Sequence, residues 1–149
     1  MVTLSVFNSK YKTDNSGWRD SRYNKNFVAN CLFGKEFFLQ KERILGLNGR
    51  LNIMGGNRYS PSKADPENKD VIFDETKAFQ KQYPPTIYLD LSITYRINKS
   101  KYSSVWALQV KNILRTPSRN GFYYNYQTGK VDEYDIRLML PSLSYKIEF

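Results

Sequence analysis

Apolar and polar residues alternate with a period of two along most of the chain. Between residues 86 and 97, Ile87, Leu89, Leu91, Ile93, Tyr95 and Ile97 fall on one side, and Tyr88, Asp90, Ser92, Thr94 and Arg96 on the other. Side chains of an extended chain point alternately to opposite faces, so this run predicts a strand with one apolar face. The last residues repeat the pattern, with Leu143, Tyr145, Ile147 and Phe149 opposing Ser142, Ser144, Lys146 and Glu148. Weaker versions set Val2, Leu4 and Val6 against Thr3 and Ser5, and Phe27, Ala29, Cys31, Phe33 and Phe37 against Asn30, Gly34 and Glu36. Leu45, Leu47, Leu51 and Ile53 likewise oppose Asn48, Arg50 and Asn52, and Trp106, Leu108 and Val110 oppose Gln109 and Lys111. The pattern predicts an all-β chain of about six strands, near 1–11, 25–38, 43–54, 86–97, 103–115 and 137–149. No segment sustains a helical period, although 71–82 has room for a short turn of helix.

The connections alternate in length. Short turns are expected at 40–42 and 98–100, and long polar loops at 13–23, 55–85 and 116–135. A loop of about thirty residues is uncommon in a compact soluble domain. Short turns at one end and long loops at the other characterise an up-and-down transmembrane barrel, with periplasmic turns and extracellular loops. The strands, at roughly 10–13 residues, exceed the usual 5–6; about 9–11 tilted residues cross a bilayer. The polar positions mix Asn, Ser, Thr, Gly and Tyr with paired charges, which suits a watery lumen. Phe27, Phe37, Tyr88, Tyr95, Trp106, Tyr145 and Phe149 lie near strand ends, where interfacial girdles place aromatic rings; ordinary core packing is the competing reading. The expected fold is therefore a set of antiparallel up-and-down transmembrane β-barrel strands. Six strands fall short of the eight of the smallest common bacterial barrels. Either loops 55–85 and 116–136 hold extra strands and the barrel is small and complete, or residues 1–149 are the C-terminal segment of a larger one. The start of the chain carries neither a signal peptide nor a plug domain, which favours the segment.

Composition narrows the chemistry. Lys and Arg number 23 against 14 Asp and Glu, a net charge of +9, and His is absent. The usual general base near neutral pH and the commonest metal ligand are thus missing. A single cysteine, Cys31, rules out an intrachain disulfide, and its place on an apolar strand face suits an inert thiol. Ser and Asp occur without His, so no catalytic constellation, cofactor or metal site is expected and the chain is not read as an enzyme. Basic residues interleaved with aromatics suggest nucleic acid. Here they are dispersed without a nucleic-acid motif and suit phosphates of anionic lipid equally well. The alternative reading is a soluble basic β-barrel or sandwich that binds an anionic polymer such as nucleic acid.

Several stretches resemble one family. The run "NFVANCLFGKEF" (26–37) is similar to a strand before a periplasmic turn in TonB-dependent outer-membrane receptors. "ILGLNGRLNIMGG" (44–56), followed by "RYSP" (58–61), resembles the next strand and loop entry. "YPPTIYLDLSITYRIN" (83–98), "WALQVKNIL" (106–114) and the ending "PSLSYKIEF" (141–149) complete a likeness spanning nearly the whole chain. Such receptors have 22-stranded plugged barrels, of which six strands are about the last quarter. The resemblance implies uptake of a bulky nutrient, such as an iron chelate, a cobalamin or an oligosaccharide. It also implies partners: outer-membrane lipid, the remaining N-terminal barrel and plug, the barrel-assembly machinery, and TonB through the absent N-terminal part. No nucleic-acid partner is implied, and the implied location is the Gram-negative outer membrane.

Two groups of residues stand out as sites. Leu143, Tyr145, Ile147 and the aromatic Phe149 resemble the terminal signal read by the barrel-assembly machinery; an amphipathic last strand would look the same. The aromatic run Phe122, Tyr123, Tyr124 and Tyr126, near Arg119 and Arg115, is a candidate ligand-facing loop. Self-packing of the loop is the favoured alternative. Arg58, Lys63, Asp65, Glu67, Lys69 and Asp70 form a mixed-charge run that reads as a solvated face.

Overall fold

The computed structural model describes residues 1–13 and 16–149, leaving 14 and 15 of the expected 13–23 loop outside the described residues. The strands, in chain order, are β1 (Val2–Val6), β2 (Lys10–Thr13), β3 (Ser16–Asp20), β4 (Phe27–Leu39), β5 (Arg43–Met54), β6 (Arg58–Tyr59), β7 (Ser62–Asp65), β8 (Asp70–Phe73), β9 (Lys81–Gln82), β10 (Thr86–Asn98), β11 (Ser103–Lys111), β12 (Ser118–Asn125), β13 (Lys130–Ile136) and β14 (Leu140–Glu148). A single turn of 3-10 helix spans Glu75–Lys77, inside the stretch where a short helical turn was expected.

Six strands make one antiparallel sheet in the order β1-β4-β5-β10-β11-β14. Its neighbours follow the chain, as in a meander. The short turns lie at one end, after β4 and β10. The three long connections lie at the other, and each carries its own two-stranded pairing: β2 with β3, β6 with β9 enclosing β7 with β8, and β12 with β13. The loops 55–85 and 116–136 do hold strands, but these form hairpins of their own and do not join the large sheet. The sheet does not close: among the described residues β1 pairs only with β4, and β14 only with β11.

Register turns the sequence pattern into a surface. Directly opposed residues of an antiparallel pair share a face. One row across the sheet reads Phe37, Leu45, Tyr95, Trp106, Tyr145. The next rows read Lys35, Leu47, Ile93, Leu108, Leu143 and Phe33, Gly49, Leu91, Val110, Pro141. Val2, Cys31, Leu51 and Leu89 form another. The opposite face carries Leu32, Arg50 and Asp90 in one row and Gly34, Asn48, Ser92, Gln109, Ser142 in the next. Every strand thus sends its apolar set to the same side, because a slip of one residue would invert the faces.

The apolar face is bare. Leu4 is 67% exposed, Trp106 46% and Leu143 70%; among the described residues the only buried hydrophobic ones are Ala78 and Tyr83, both in the loops. The accessible surface is 10888 Å². A folded monomer of 17.5 kDa exposes about 7,900 Å² by the usual scaling, so about 3,000 Å² of additional surface is presented. A single sheet with nothing layered on it accounts for the excess.

Some strand ends differ from expectation. The first strand stops at Val6, not near residue 11, and the chain restarts as β2. The reason is that Phe7 N–H donates to the Asn26 carbonyl (2.9 Å), where Asn26 holds a left-handed φ of 70°, turning both chains out of the sheet. β11 stops at Lys111, short of residue 115. Asn112, at φ 52°, donates its N–H to Asp90 Oδ1 (2.9 Å), and its own Oδ1 accepts from Thr116 N–H (2.9 Å), folding a turn in place of more strand. The last strand begins at Leu140 and not at 137.

The β5 exit depends on close backbone approach. Gly55 and Gly56 are both buried, and a Cβ on either would strike backbone: the Lys25 carbonyl for Gly55, the Tyr83 carbonyl for Gly56. Backbone cannot rotate away as a side chain can. Gly56→Ala is therefore expected to cost about 1–3 kcal/mol, read as a lowered midpoint in equilibrium urea titration. Gly17→Ala, at a position with open space around it, should stay within about 0.5 kcal/mol of the parent.

Candidate functional site

The three long connections meet at one end of the sheet and pack on one another. Short polar side chains in loops satisfy backbone groups that strands leave open, and Asn24 does so completely buried, at 0% exposure. Its Oδ1 accepts from Ser9 N–H (3.1 Å), and its Nδ2 donates to Asn8 Oδ1 (2.9 Å) and Asp20 Oδ1 (2.8 Å). Its carbonyl accepts from Arg58 Nε (3.3 Å) and Gln82 Nε2 (3.4 Å). Arg58 also pairs with Asp20 at 3.1 Å, with both side chains largely shielded from water. One asparagine and one arginine thereby tie the first loop to the second.

An aromatic knot ties the second loop to the third. The Tyr59 and Tyr83 rings stack at 4.4 Å, and Phe122 lies against both, at 5.2 and 6.2 Å. Phe73 approaches Phe122 at 6.5 Å. The Arg119 guanidinium sits 5.8 Å from the centre of the Tyr83 ring, in cation–π range. The same guanidinium faces Glu133 at 3.6 Å and Asp135 at 3.8 Å.

Two hollows flank the knot. One, of about 270 Å³, is lined by residues of all three loops, among them Arg22, Asn57, Tyr59, Phe73, Glu75 and Tyr83. The other, of about 90 Å³, lies between Tyr83, Arg119 and the polar-face residues Met54, Thr86 and Tyr88. The loop cap therefore leans over the polar face of the sheet. That face carries its own shallow basin of about 500 Å³, bordered by Asn48, Arg50, Asp90, Gln109 and Lys111. Its side chains are cross-linked: Asn52 Nδ2 donates to Asn30 Oδ1 (2.5 Å), and Arg50 lies 3.9 Å from Asp90.

The aromatic loop residues separate into two sets. Phe122 and Arg119 are built into the knot. Tyr123 packs edge-on to Tyr134 (6.4 Å), and Tyr124 edge-on to Tyr126 (5.5 Å), which leaves Tyr126 exposed at the hairpin tip. The run packs on itself and on its neighbours. Leu143, Tyr145 and Ile147 lie on the bare apolar face of the edge strand β14, and Phe149 follows it fully exposed. Arg58 departs from the solvated-face reading, because Asp20, thirty-eight positions away, draws it into the cap. Asp65, by contrast, acts locally: it accepts from Glu67 N–H, Asn68 N–H and Asn68 Nδ2, which closes the β7–β8 turn and holds its carboxyl below the usual range. Asn24, Tyr59 and Tyr83 were not singled out in the sequence. The density of Asn and Asp at 8, 20, 24 and 26 was the available signal for the polar hub.

Burial pushes the Tyr83 phenol up to about 12, with Glu133, Tyr59 and Asp135 adding to the rise and Arg119 opposing it. The ordinary value is 10.0. The folded cap thus favours the neutral phenol. That contribution is complete below pH 10 and is lost as the pH rises through 12. Absorbance titration of tyrosinate should show a late step, and Tyr83→Phe should remove one tyrosine's worth of it. A late step unchanged in the variant would contradict the packing of Tyr83.

Set against known proteins, the chain matches no family, no curated protein and no solved structure.

Proposed function

We propose that the chain is a stretch of wall from an outer-membrane β-barrel of the TonB-dependent receptor type, serving uptake of a bulky nutrient. The observation that carries this reading is the bare apolar face, unbroken across six strands and opposed by a hydrogen-bonded polar face. A contiguous apolar surface of this size is foreign to a soluble monomer. A soluble sandwich would lay a second sheet on it, and the loop cap leans over the other face. Lipid covers such a face in a barrel wall.

Dimensions agree. On β10 the apolar positions facing this side run from Ile87 to Ile97, about 33 Å along the strand at about 3.3 Å per residue. Tilted by 35–45°, that projects to about 23–27 Å, against an apolar band of about 25 Å. Phe37, Tyr95, Trp106 and Tyr145 form a row at the turn end, the level of a periplasmic interface girdle. Lys35, a cation on this face beside that row, as Arg43 is, lays its ammonium 5.2 Å from the Phe37 ring, as a snorkelling lysine does. In this reading the polar face lines the lumen, the loop cap is extracellular, and Leu143, Tyr145, Ile147 and Phe149 present the terminal signal to the barrel-assembly machinery. The two open edges, on β1 and β14, take the remaining strands of the barrel; the plug and TonB engage those other parts.

Trp106 tests the lipid contact. With Trp18→Phe, the remaining tryptophan reports from the apolar face alone. Its emission in phospholipid vesicles should be quenched when the acyl chains are brominated near the headgroup. Unquenched emission, from a chain monodisperse without detergent, would sink the reading. Salt-steep binding to nucleic acid in that case would establish the soluble basic alternative.

A further inference from the structure

A self-packed cap should leave no shielded polar atom unpaired. Among the described residues three cap atoms break this rule, and all belong to residues lining the 270 Å³ hollow: Arg119 Nε, which faces the carboxylates of Glu133 and Asp135, and the Tyr83 hydroxyl and Asn57 Oδ1, which face no charged partner. Tyr83 is only 7% exposed, so water outside the cap does not serve its hydroxyl. An orphaned donor-acceptor and an orphaned acceptor beside an open hollow are what a bound polar ligand would complete.

Charge decides the class of ligand. Three arginines border the hollow, which at first suggests an anion. Arg58 is already matched by Asp20, and Arg119 by Glu133 and Asp135. Arg22 and Glu75, both on the lining, add one charge of each sign. No positive excess remains to hold a phosphate or a polycarboxylate. The walls are instead ring-rich, with Tyr59, Phe73, Phe79 and Tyr83, and Phe73 keeps 42% of its surface free. The volume lies just under the ~300–1,000 Å³ of pockets for drug-sized molecules, which fits one ring of a longer ligand.

We infer that this hollow binds one residue of a neutral sugar. The pyranose ring lies against the aromatic wall, one hydroxyl donates to Asn57 Oδ1, and another pairs with the Tyr83 hydroxyl. The inference rests on the transport reading for its role, since it names the cargo as an oligosaccharide. The pocket chemistry itself stands on the loop geometry.

The test uses the full chain in detergent micelles, with the methyl glycosides of glucose, galactose, mannose and xylose as probes. Saturation-transfer NMR should show ring protons of at least one glycoside in contact with the protein. Tyr83→Phe and Asn57→Ala should each weaken that contact about threefold to tenfold, while Tyr126→Ala, at the exposed hairpin tip, leaves it unchanged. Far-UV circular dichroism verifies that each variant keeps its strands. No transfer to any glycoside from the folded chain overturns the inference, as does equal transfer in both pocket variants. Displacement of the glycoside signal by citrate or phosphate at equimolar concentration overturns it in favour of an anion site. Lipid quenching of Trp106 separates the two proposals. Quenching without glycoside contact refutes the sugar site and leaves the wall reading intact; glycoside contact without quenching supports the site and removes the wall.

Discussion

The interaction on which the rest depends is the antiparallel register that gathers the alternating apolar positions of the six strands on one face. Because that face has no second layer, the chain has almost no interior of its own. Its large sheet is held by ladder hydrogen bonds and same-face neighbours, and its buried hydrophobic residues, Ala78 and Tyr83, lie in the loops. A layered soluble domain gains most of its stability from a core sealed between layers. This sheet lacks that gain until something apolar covers it, so its environment is part of its fold.

The polar face and the loop cap follow from the same register. With the apolar residues gathered on one side, Asn30, Asn52, Arg50 and Asp90 are left to pair across strands on the other. The three long connections then gather over the end of that polar side. They are organised by different forces, the first two by the Asn24 hub and the Arg58–Asp20 pair, the second and third by stacked rings. An ion pair this shielded is held by geometry and additional hydrogen bonds more than by net Coulomb gain. Asn26 and Gln82 help to supply those bonds, around the Asn24 carbonyl.

This division explains what could be read from the sequence. The six sheet strands were legible because a period of two is local, and β10 in particular needs no partner to announce its faces. The short turns and the unequal loops were legible for the same reason. The hairpins inside the loops were not, since β6 and β9 are two residues each and pair across more than twenty positions. Arg58 was misread as solvated because its partner is remote in sequence, and Tyr83 passed as an ordinary residue ahead of a proline pair. Strand ends failed where asparagines took left-handed conformations, at Asn26 and Asn112, a choice fixed by hydrogen bonds from other strands.

The edges carry the argument one step further. A lipid-covered sheet cannot leave backbone N–H and C=O groups unpaired within the hydrocarbon, yet β1 and β14 each have one free side. Covering the face with lipid therefore requires covering the edges with strands, and the two demands are met together only by a larger closed barrel. Joining β1 directly to β14 would leave six strands, below the eight of the smallest common bacterial barrels. The hairpin strands in the loops do not make up the difference, because they are bonded to one another above the polar face. On the proposed reading, the same bare face and open edges that make the isolated sheet prone to self-association fit it to stand as one part of a longer wall.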